Sequence, residues 1–117
     1  MVSFEGMGNN VPESYYLDLI NAILSLETPE ETMNFLVDLC TVSEIQAMAQ
    51  RYKVAELLSK GRTYSEILEE TGVSTATISR VNKCYEYGSG GYKTEIAKTS
   101  SDSDSKAIAA DDIKKEK

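Results

Sequence analysis

Residues 63–80, TYSEILEETGVSTATISR, decide the fold of this chain. Thr63 and Glu66 have the spacing of a capping box, which predicts that a helix starts here. Gly72 predicts the end of that helix, because glycine adopts the positive φ of a tight turn without strain. Ser74 predicts the N-cap of a second helix. Two short helices joined by such a turn predict a helix-turn-helix, whose second helix can enter the major groove of DNA.

The first turns of this second helix favour DNA binding over an ordinary helical hairpin. The hairpin is the alternative, since glycine at a helix end is common in both. Here, however, the side chains are small or form hydrogen bonds, so the backbone can approach base edges and phosphates. These residues are Ser74, Thr75, Ala76, Thr77, Ser79 and Arg80.

The charge of the chain is unevenly distributed. The net charge of −7 argues against a nucleic-acid partner only when it is taken over all 117 residues. Residues 1–50 contain eight acidic residues and no Lys or Arg, whereas residues 51–83 contain six basic residues against four acidic ones, a net of +2. The positive charge therefore lies around the predicted helix-turn-helix, where it can face phosphate. Because the excess is small, we expect weak and salt-sensitive non-specific binding.

The composition excludes several classes of protein. The chain has no histidine, and its glycine-rich stretch GSGG lacks the lysine and the Ser/Thr of a phosphate-binding loop. We therefore predict no catalytic residue, no metal ligand and no cofactor, and do not expect an enzyme. No run of 18 apolar residues is present, and the stretch MVSFEGMGNN (1–10) has neither the basic region nor the apolar run of a signal peptide. We therefore expect no secretory signal, and a cytoplasmic protein without membrane contact. Cys40 and Cys84 are expected to be reduced, small hydrophobic residues in helices.

The remaining signals predict helices on both sides of this motif. Pro12 predicts the start of a first helix and Thr28, with Glu31, the start of a second. A third helix is predicted from a capping box of Ser43 with Gln46, with a buried set that includes Ile45, Met48, Tyr52, Val54, Ala55, Leu57 and Leu58. It ends at Gly61.

These elements predict three regions and a dimer. We expect a flexible arm over residues 1–11, a helical domain over 12–97 and a disordered tail over 98–117, since the tail is too polar to bury a core. The second helix carries apolar residues on several sides. A partner subunit would cover them better than one small domain, although a monomer with this helix at its centre is the alternative.

The chain resembles the tryptophan repressor superfamily, and most closely its YerC/YecD group. The resemblance rests on RYKVAELLSKGRTYSEI (51–67), GVSTATISRVNKCYEYGSGGY (72–92) and the helix start ETPEE (27–31), and it covers about residues 12–96. It implies an all-α helical bundle of about six helices with a helix-turn-helix, intertwined with a second copy into a homodimer. It also implies a transcriptional repressor that binds a symmetric double-stranded DNA operator.

The resemblance also implies two sets of site residues. An amino-acid-like effector would lie between Arg51 and Arg80, with Thr41 and Thr77 near its carboxylate and amine. Val81 stands where the repressor has a glycine, and Leu68 where it has a basic residue. With the residues argued from the motif itself, the predicted DNA-binding set is Ser65, Leu68, Ser74, Thr75, Ala76, Thr77, Ser79, Arg80 and Lys83.

Two other functions compete with a DNA-binding repressor. The acidic N-terminal half and the net charge of −7 favour a protein-interaction module that has this fold but reads no DNA. The two arginines and two threonines favour an amino-acid-responsive sensor.

Overall fold

The computed structural model describes residue 4, residues 6–8 and residues 10–101. This part of the chain forms six helices and no strand, which confirms the all-α prediction. They are α1 (Glu13–Leu24), α2 (Pro29–Leu39), α3 (Val42–Ser59), α4 (Tyr64–Thr71), α5 (Thr75–Tyr87) and α6 (Gly91–Ser101). None of these described helices is long and apolar enough to cross a membrane.

The chain divides into two units, Met1–Phe35 and Leu36–Lys117, and α2 crosses the boundary between them as one helix. In the first unit Phe4 of the predicted arm stacks on Tyr16 of α1, with the ring centroids 5.2 Å apart. In the second unit α6 continues to Ser101, so residues 98–101 of the predicted tail are helical. Residues 102–117 lie outside the described part, and the predicted domain limits stay predictions.

The helix starts correct two predictions from the sequence. Pro12 is the N-cap of α1 rather than its first residue, and α1 begins at Glu13. At α2, Thr28 Oγ1 accepts the predicted bond from the N–H of Glu31 at 3.0 Å. The Glu31 carboxylate, however, accepts from the N–H of Glu27, at 3.0 Å, and not from Thr28.

The third helix begins at Val42, because Thr41 rather than Ser43 is its N-cap. Thr41 Oγ1 accepts the N–H of Glu44 at 3.1 Å, and Glu44 Oε1 accepts the N–H of Thr41 at 2.7 Å. The predicted box of Ser43 with Gln46 is wrong. A carboxylate is a stronger acceptor than an amide oxygen, which favours the earlier of the two overlapping boxes. The hydrogen bond from the Thr41 backbone lowers the pKa of Glu44.

The hydrophobic core lies within α3–α6, where α3 packs against each of the other three helices. Its buried residues are Val54, Ala55, Leu57, Ile67, Val73, Ile78, Val81 and Ile96, with Leu58, Tyr85 and Tyr92 packed against them. The predicted burial of Met48 and Tyr52 is wrong for the single chain, since each is 37% exposed. Ile45 is only half-buried. The buried residues of α3 all lie in its second half.

The first two helices contrast with this core, because neither contains a buried residue. Leu24 at the end of α1 is 74% exposed. Cys40, predicted to be helical, directly follows α2 and is half-buried, whereas Cys84 of α5 is exposed. Both cysteines are free thiols, in agreement with the prediction that they are reduced.

Candidate nucleic-acid interface

The α4–α5 pair is built by three local signals, each where the sequence predicts it. Thr63 and Glu66 form a reciprocal capping box, with hydrogen bonds of 3.2 and 2.9 Å. Gly72 ends α4 with a φ of 74°, in the left-handed region that favours glycine. Ser74 is the N-cap of α5, and its Oγ accepts the N–H of Thr77 at 3.2 Å. The link between the helices is therefore only three residues long.

The turn is anchored from inside by Val73 and Thr71. The side chain of Val73 is buried in the core, so the turn cannot move without uncovering it. The N–H of Val73 donates to Thr71 Oγ1 at 3.1 Å, and Thr71 Oγ1 donates to the carbonyl of Ile67 at 2.7 Å. These contacts fix the start of α5 relative to the end of α4.

The fifth helix has one buried face and one exposed face. Ile78 and Val81 are buried, at 0% and 2% exposure. Ala76, Arg80 and Lys83 are all exposed, and their spacing of four and three residues places them on one side of the helix. Of the residues predicted to bind DNA on α5 and at its N-cap, those exposed are Ser74, Thr75, Ala76, Ser79, Arg80 and Lys83, whereas Thr77 is half-buried.

Ser65 and Leu68 of α4, which the sequence also predicts as DNA-binding residues, are exposed, Leu68 at 41%. The same helix carries Glu66, Glu69 and Glu70, and its eight residues include no Lys or Arg. Phosphate would therefore meet positive charge on α5 and negative charge on α4. This makes α5 the better surface for a nucleic acid.

Ion pairs remove some of the positive charge counted from the sequence. Lys53 Nζ lies 2.9 Å from Glu56 Oε1, and this hydrogen bond lowers the pKa of Glu56. Arg62 Nη1 lies 3.3 Å from Glu70 Oε1. Within the part of the chain that the structure describes, the other four basic side chains of residues 51–83 form no ion pair. They are Arg51, Lys60, Arg80 and Lys83.

The four residues predicted to hold an effector lie on α3 and α5 or at their N-terminal ends. Arg51 and Arg80 are exposed. Thr41 caps α3, and Thr77 Oγ1 accepts a hydrogen bond from Ser74 Oγ at 3.2 Å. Val81, which follows Arg80, points into the apolar cluster and not to the exposed face. Across the described residues, no group of three or more His, Cys, Asp or Glu could hold a metal ion.

The comparisons with known proteins agree with this architecture. A family model described as Trp repressor protein matches residues 15–100. The chain belongs to the Trp repressor family. Among relatives in this family, the uncharacterized protein YerC of Bacillus subtilis (strain 168) is 50% identical over 91 residues, which span 75% of this chain and 88% of YerC. The resemblance inferred from the sequence is thereby confirmed.

Two crystal structures are similar to this chain. A TrpR-like protein from Eubacterium eligens ATCC 27750 has 45% sequence identity and a TM-score of 0.71, over 73% of this chain and 88% of its own. A candidate Trp repressor from Staphylococcus aureus has 36% identity and a TM-score of 0.75, over 89% of this chain and 100% of its own. The family suggests a DNA-binding regulator.

Proposed function

We propose that this Trp repressor family member is a sequence-specific DNA-binding transcriptional repressor that acts as a homodimer through a helix-turn-helix formed by α4 and α5. The observation that carries the proposal is the exposed face of α5. This face begins with small side chains at the capped N-terminus of the helix and continues with Arg80 and Lys83. Neither of these basic side chains forms an ion pair with another described residue. Small side chains allow the helix to approach the edges of the DNA bases closely. Basic side chains that form no ion pair within the protein can neutralise phosphates.

Each residue of the α4–α5 surface has a proposed role. Thr75, Ala76 and Ser79 face the base edges of the major groove, because the first turns of a recognition helix enter the groove. Arg80 and Lys83 bind phosphates, and Ser65 and Leu68 of α4 lie against the DNA backbone. Ser74 and Thr77 act indirectly: the hydrogen bonds between them hold the N-terminus of α5 in place.

The homodimer is supported by the exposed apolar residues of the first two helices. In the single chain, α1 and α2 bury no residue and expose large hydrophobic side chains that water solvates poorly. Those exposed are Tyr15, Leu17, Leu19, Ile23, Leu24, Met33, Val37 and Leu39. A second copy of the chain is the occupant we propose, because a two-fold dimer presents two identical reading helices to a symmetric operator. Their spacing would be about one turn of DNA, ~34 Å.

Selection from a pool of random duplexes tests the proposed function. The full chain is expected to enrich an inverted repeat whose half-sites are spaced by about 10 base pairs. A variant with Thr75→Asp, which adds a negative charge at the exposed start of α5, is expected to enrich nothing while its circular dichroism spectrum stays that of the wild type. A pool that shows no enrichment with the wild-type chain would overturn sequence-specific binding and leave the protein-interaction module as the better function.

An amino-acid-like effector is the second candidate. Arg51 and Arg80 favour it, because both are exposed bases without an ion pair in the described part of the chain, and they lie on α3 and α5, which pack together. Titration calorimetry with tryptophan and related amino acids tests it. We expect heat that saturates in the wild type and is lost in Arg51→Ala. A flat wild-type titration would remove the sensor function for these ligands without affecting the DNA proposal.

A further inference from the structure

We propose that the operator half-site contains thymine recognised through its 5-methyl group, and that the methyl groups of Thr75 and Ala76 make this contact. The inference rests on the proposed function, because it requires α5 to enter the major groove. It goes beyond that function by naming the chemical group on the base that is read.

The start of α5 lacks the side chains that read bases with two hydrogen bonds. Arg, Lys, Asn and Gln provide bidentate pairing with guanine or adenine, and Glu or Asp can accept from cytosine. None of these residue types occurs between Thr75 and Ser79. Asn82 is the next amide on the helix, and it is half-buried about two turns beyond the capped end.

Hydrogen bonds within the chain further reduce the polar groups that are available. Ser74 Oγ accepts from the N–H of Thr77 and donates to Thr77 Oγ1, both at 3.2 Å, so these two hydroxyls already hold the helix start. Among the described residues, the hydroxyls of Thr75 and Ser79 have no such bond and can reach a base or a phosphate. A hydroxyl binds either kind of partner, and so it discriminates little by itself.

The exposed methyl groups supply the specificity that these polar groups lack. Ala76 lies on the same face as Arg80 and Lys83, opposite the buried Ile78, so its methyl group points away from the core. Among the groups that base pairs expose in the major groove, the 5-methyl group of thymine is the one apolar group of methyl size, since cytosine has only a C5–H at that position. Placing a methyl group against a polar edge removes water from it without replacing the lost hydrogen bond, which is unfavourable. Thymine is therefore the base that this surface matches.

Base analogues that differ by one methyl group test the inference on a selected duplex. Replacing one thymine at a time by uracil removes only the methyl group. At the same position, a duplex with 5-methylcytosine and one with cytosine also differ only by a 5-methyl group, now on a G·C base pair. At one or two positions in each half-site we expect uracil to bind roughly fourfold more weakly than thymine, which corresponds to ~0.8 kcal/mol for a buried methyl-sized group. At the same positions 5-methylcytosine should bind more tightly than cytosine by a similar factor.

Two variants assign the contact to the protein. Ala76→Gly and Thr75→Ser each remove one methyl group, and Thr75→Ser keeps the hydroxyl. Each is expected to bring the thymine-to-uracil affinity ratio close to one at one position. Ala49→Gly is the matched control, since Ala49 is an exposed helical alanine on α3, and it should leave every ratio unchanged.

The outcomes separate this inference from the function on which it rests. A wild-type chain that binds a selected duplex with a thymine-to-uracil ratio near one at every thymine would overturn methyl recognition alone. Ratios that survive both Ala76→Gly and Thr75→Ser would overturn the assignment to α5. A chain that binds no duplex would overturn the proposed function together with the inference.

Discussion

The apolar residues of α3–α6 form a buried core, whereas those of α1 and α2 are not buried in the single chain. In α3–α6 the hydrophobic side chains converge on one core, where Val54, Ala55, Ile67 and Ile78 are fully buried. In α1 and α2, no residue is buried although large aliphatic and aromatic side chains are frequent. Both regions have helix-forming patterns, so periodicity alone does not separate them. The difference is whether the single chain supplies a cover for the apolar side.

The charge of the chain also changes along the sequence, at a boundary that falls within α3. All ionisable side chains of residues 1–50 that carry a charge at neutral pH are acidic, whereas residues 51–83 have a net charge of +2. A region that is acidic and apolar is a poor surface for DNA but can associate with protein. The division therefore supports two roles in the proposed repressor, with association assigned to the first two helices and DNA reading to α5.

The largest expected effect separates the core from the surface of the second region. Ile78→Ala removes a fully buried side chain and leaves a cavity, so we expect the free energy of unfolding to fall by ~2–5 kcal/mol. Leu68→Ala, on the exposed side of α4, is expected to change it by less than ~0.5 kcal/mol. Urea unfolding followed by circular dichroism measures both. Equal effects of the two variants would contradict the placement of the core in α3–α6.

The second effect tests whether the first region is an association surface. Leu24→Asp would bury an unpaired charge in the proposed dimer, and we expect dimerisation at least about tenfold weaker, or ~1.4 kcal/mol. Tyr87→Asp is the control, because Tyr87 is 85% exposed on α5 and acquires the same charge. Sedimentation velocity over a concentration series measures the dissociation constants. A monomeric wild type, or an unchanged dimer in Leu24→Asp, would remove α1 from the interface.

A third, smaller effect concerns the turn that positions α5. No atom lies within 4 Å of the Cβ that Gly72→Ala would add, so its penalty comes from the positive φ of 74° alone. We expect a loss of ~1–2 kcal/mol in the free energy of unfolding. Gly91→Ala has equally open space but no positive φ, at the first residue of α6, and it should be neutral or slightly stabilising. Thermal denaturation of both variants measures the difference between their free energies of unfolding. If the two variants are equally stable, the turn has relaxed and the positive φ carries no penalty.

The smallest effect tests the corrected start of α3. Thr41→Ala removes the observed N-cap and is expected to lower the free energy of unfolding by ~0.5–2 kcal/mol. Ser43→Ala removes the cap that the sequence pattern wrongly favours and should change it by less than ~0.5 kcal/mol. Chemical denaturation of the two single variants distinguishes them. A larger loss for Ser43→Ala would restore the original assignment.

Signals between residues close in sequence predicted the local structure well. The box of Thr63 with Glu66, the glycine at 72 and the cap at Ser74 act over three or four residues, so nothing distant changes them. At the start of α3, two overlapping boxes match the same rule, and the one that was predicted, Ser43 with Gln46, is wrong. The pair of Lys53 with Glu56 was not predicted, although its spacing of three residues makes the two side chains neighbours on a helix.

Features that depend on tertiary packing could not be read in this way. Arg62 and Glu70 are eight residues apart, which is outside the spacing of three or four residues that makes side chains neighbours on a helix, so the sequence alone does not pair them. Met48 and Tyr52 fit the apolar stripe of α3, but in the single chain the buried residues of that helix begin only at Val54. For the candidate site, the pattern proposed the residues of α5. The exposure of each, and the lack of an ion pair at Arg80 among the described residues, required the structure.

The central claim is that Arg80 and Lys83 of α5, which form no ion pair with any residue that the structure describes, bind the phosphates of an operator. The most direct test measures the affinity for a selected duplex at several salt concentrations, by fluorescence anisotropy, for the wild type, Arg80→Ala and Lys53→Ala. We expect the logarithm of the wild-type association constant to fall linearly with the logarithm of salt concentration, and the slope to lose about one unit in Arg80→Ala. Lys53, already paired with Glu56, should leave the slope unchanged when replaced. Wild-type binding that is independent of salt, or equally strong for a shuffled duplex, would contradict the claim.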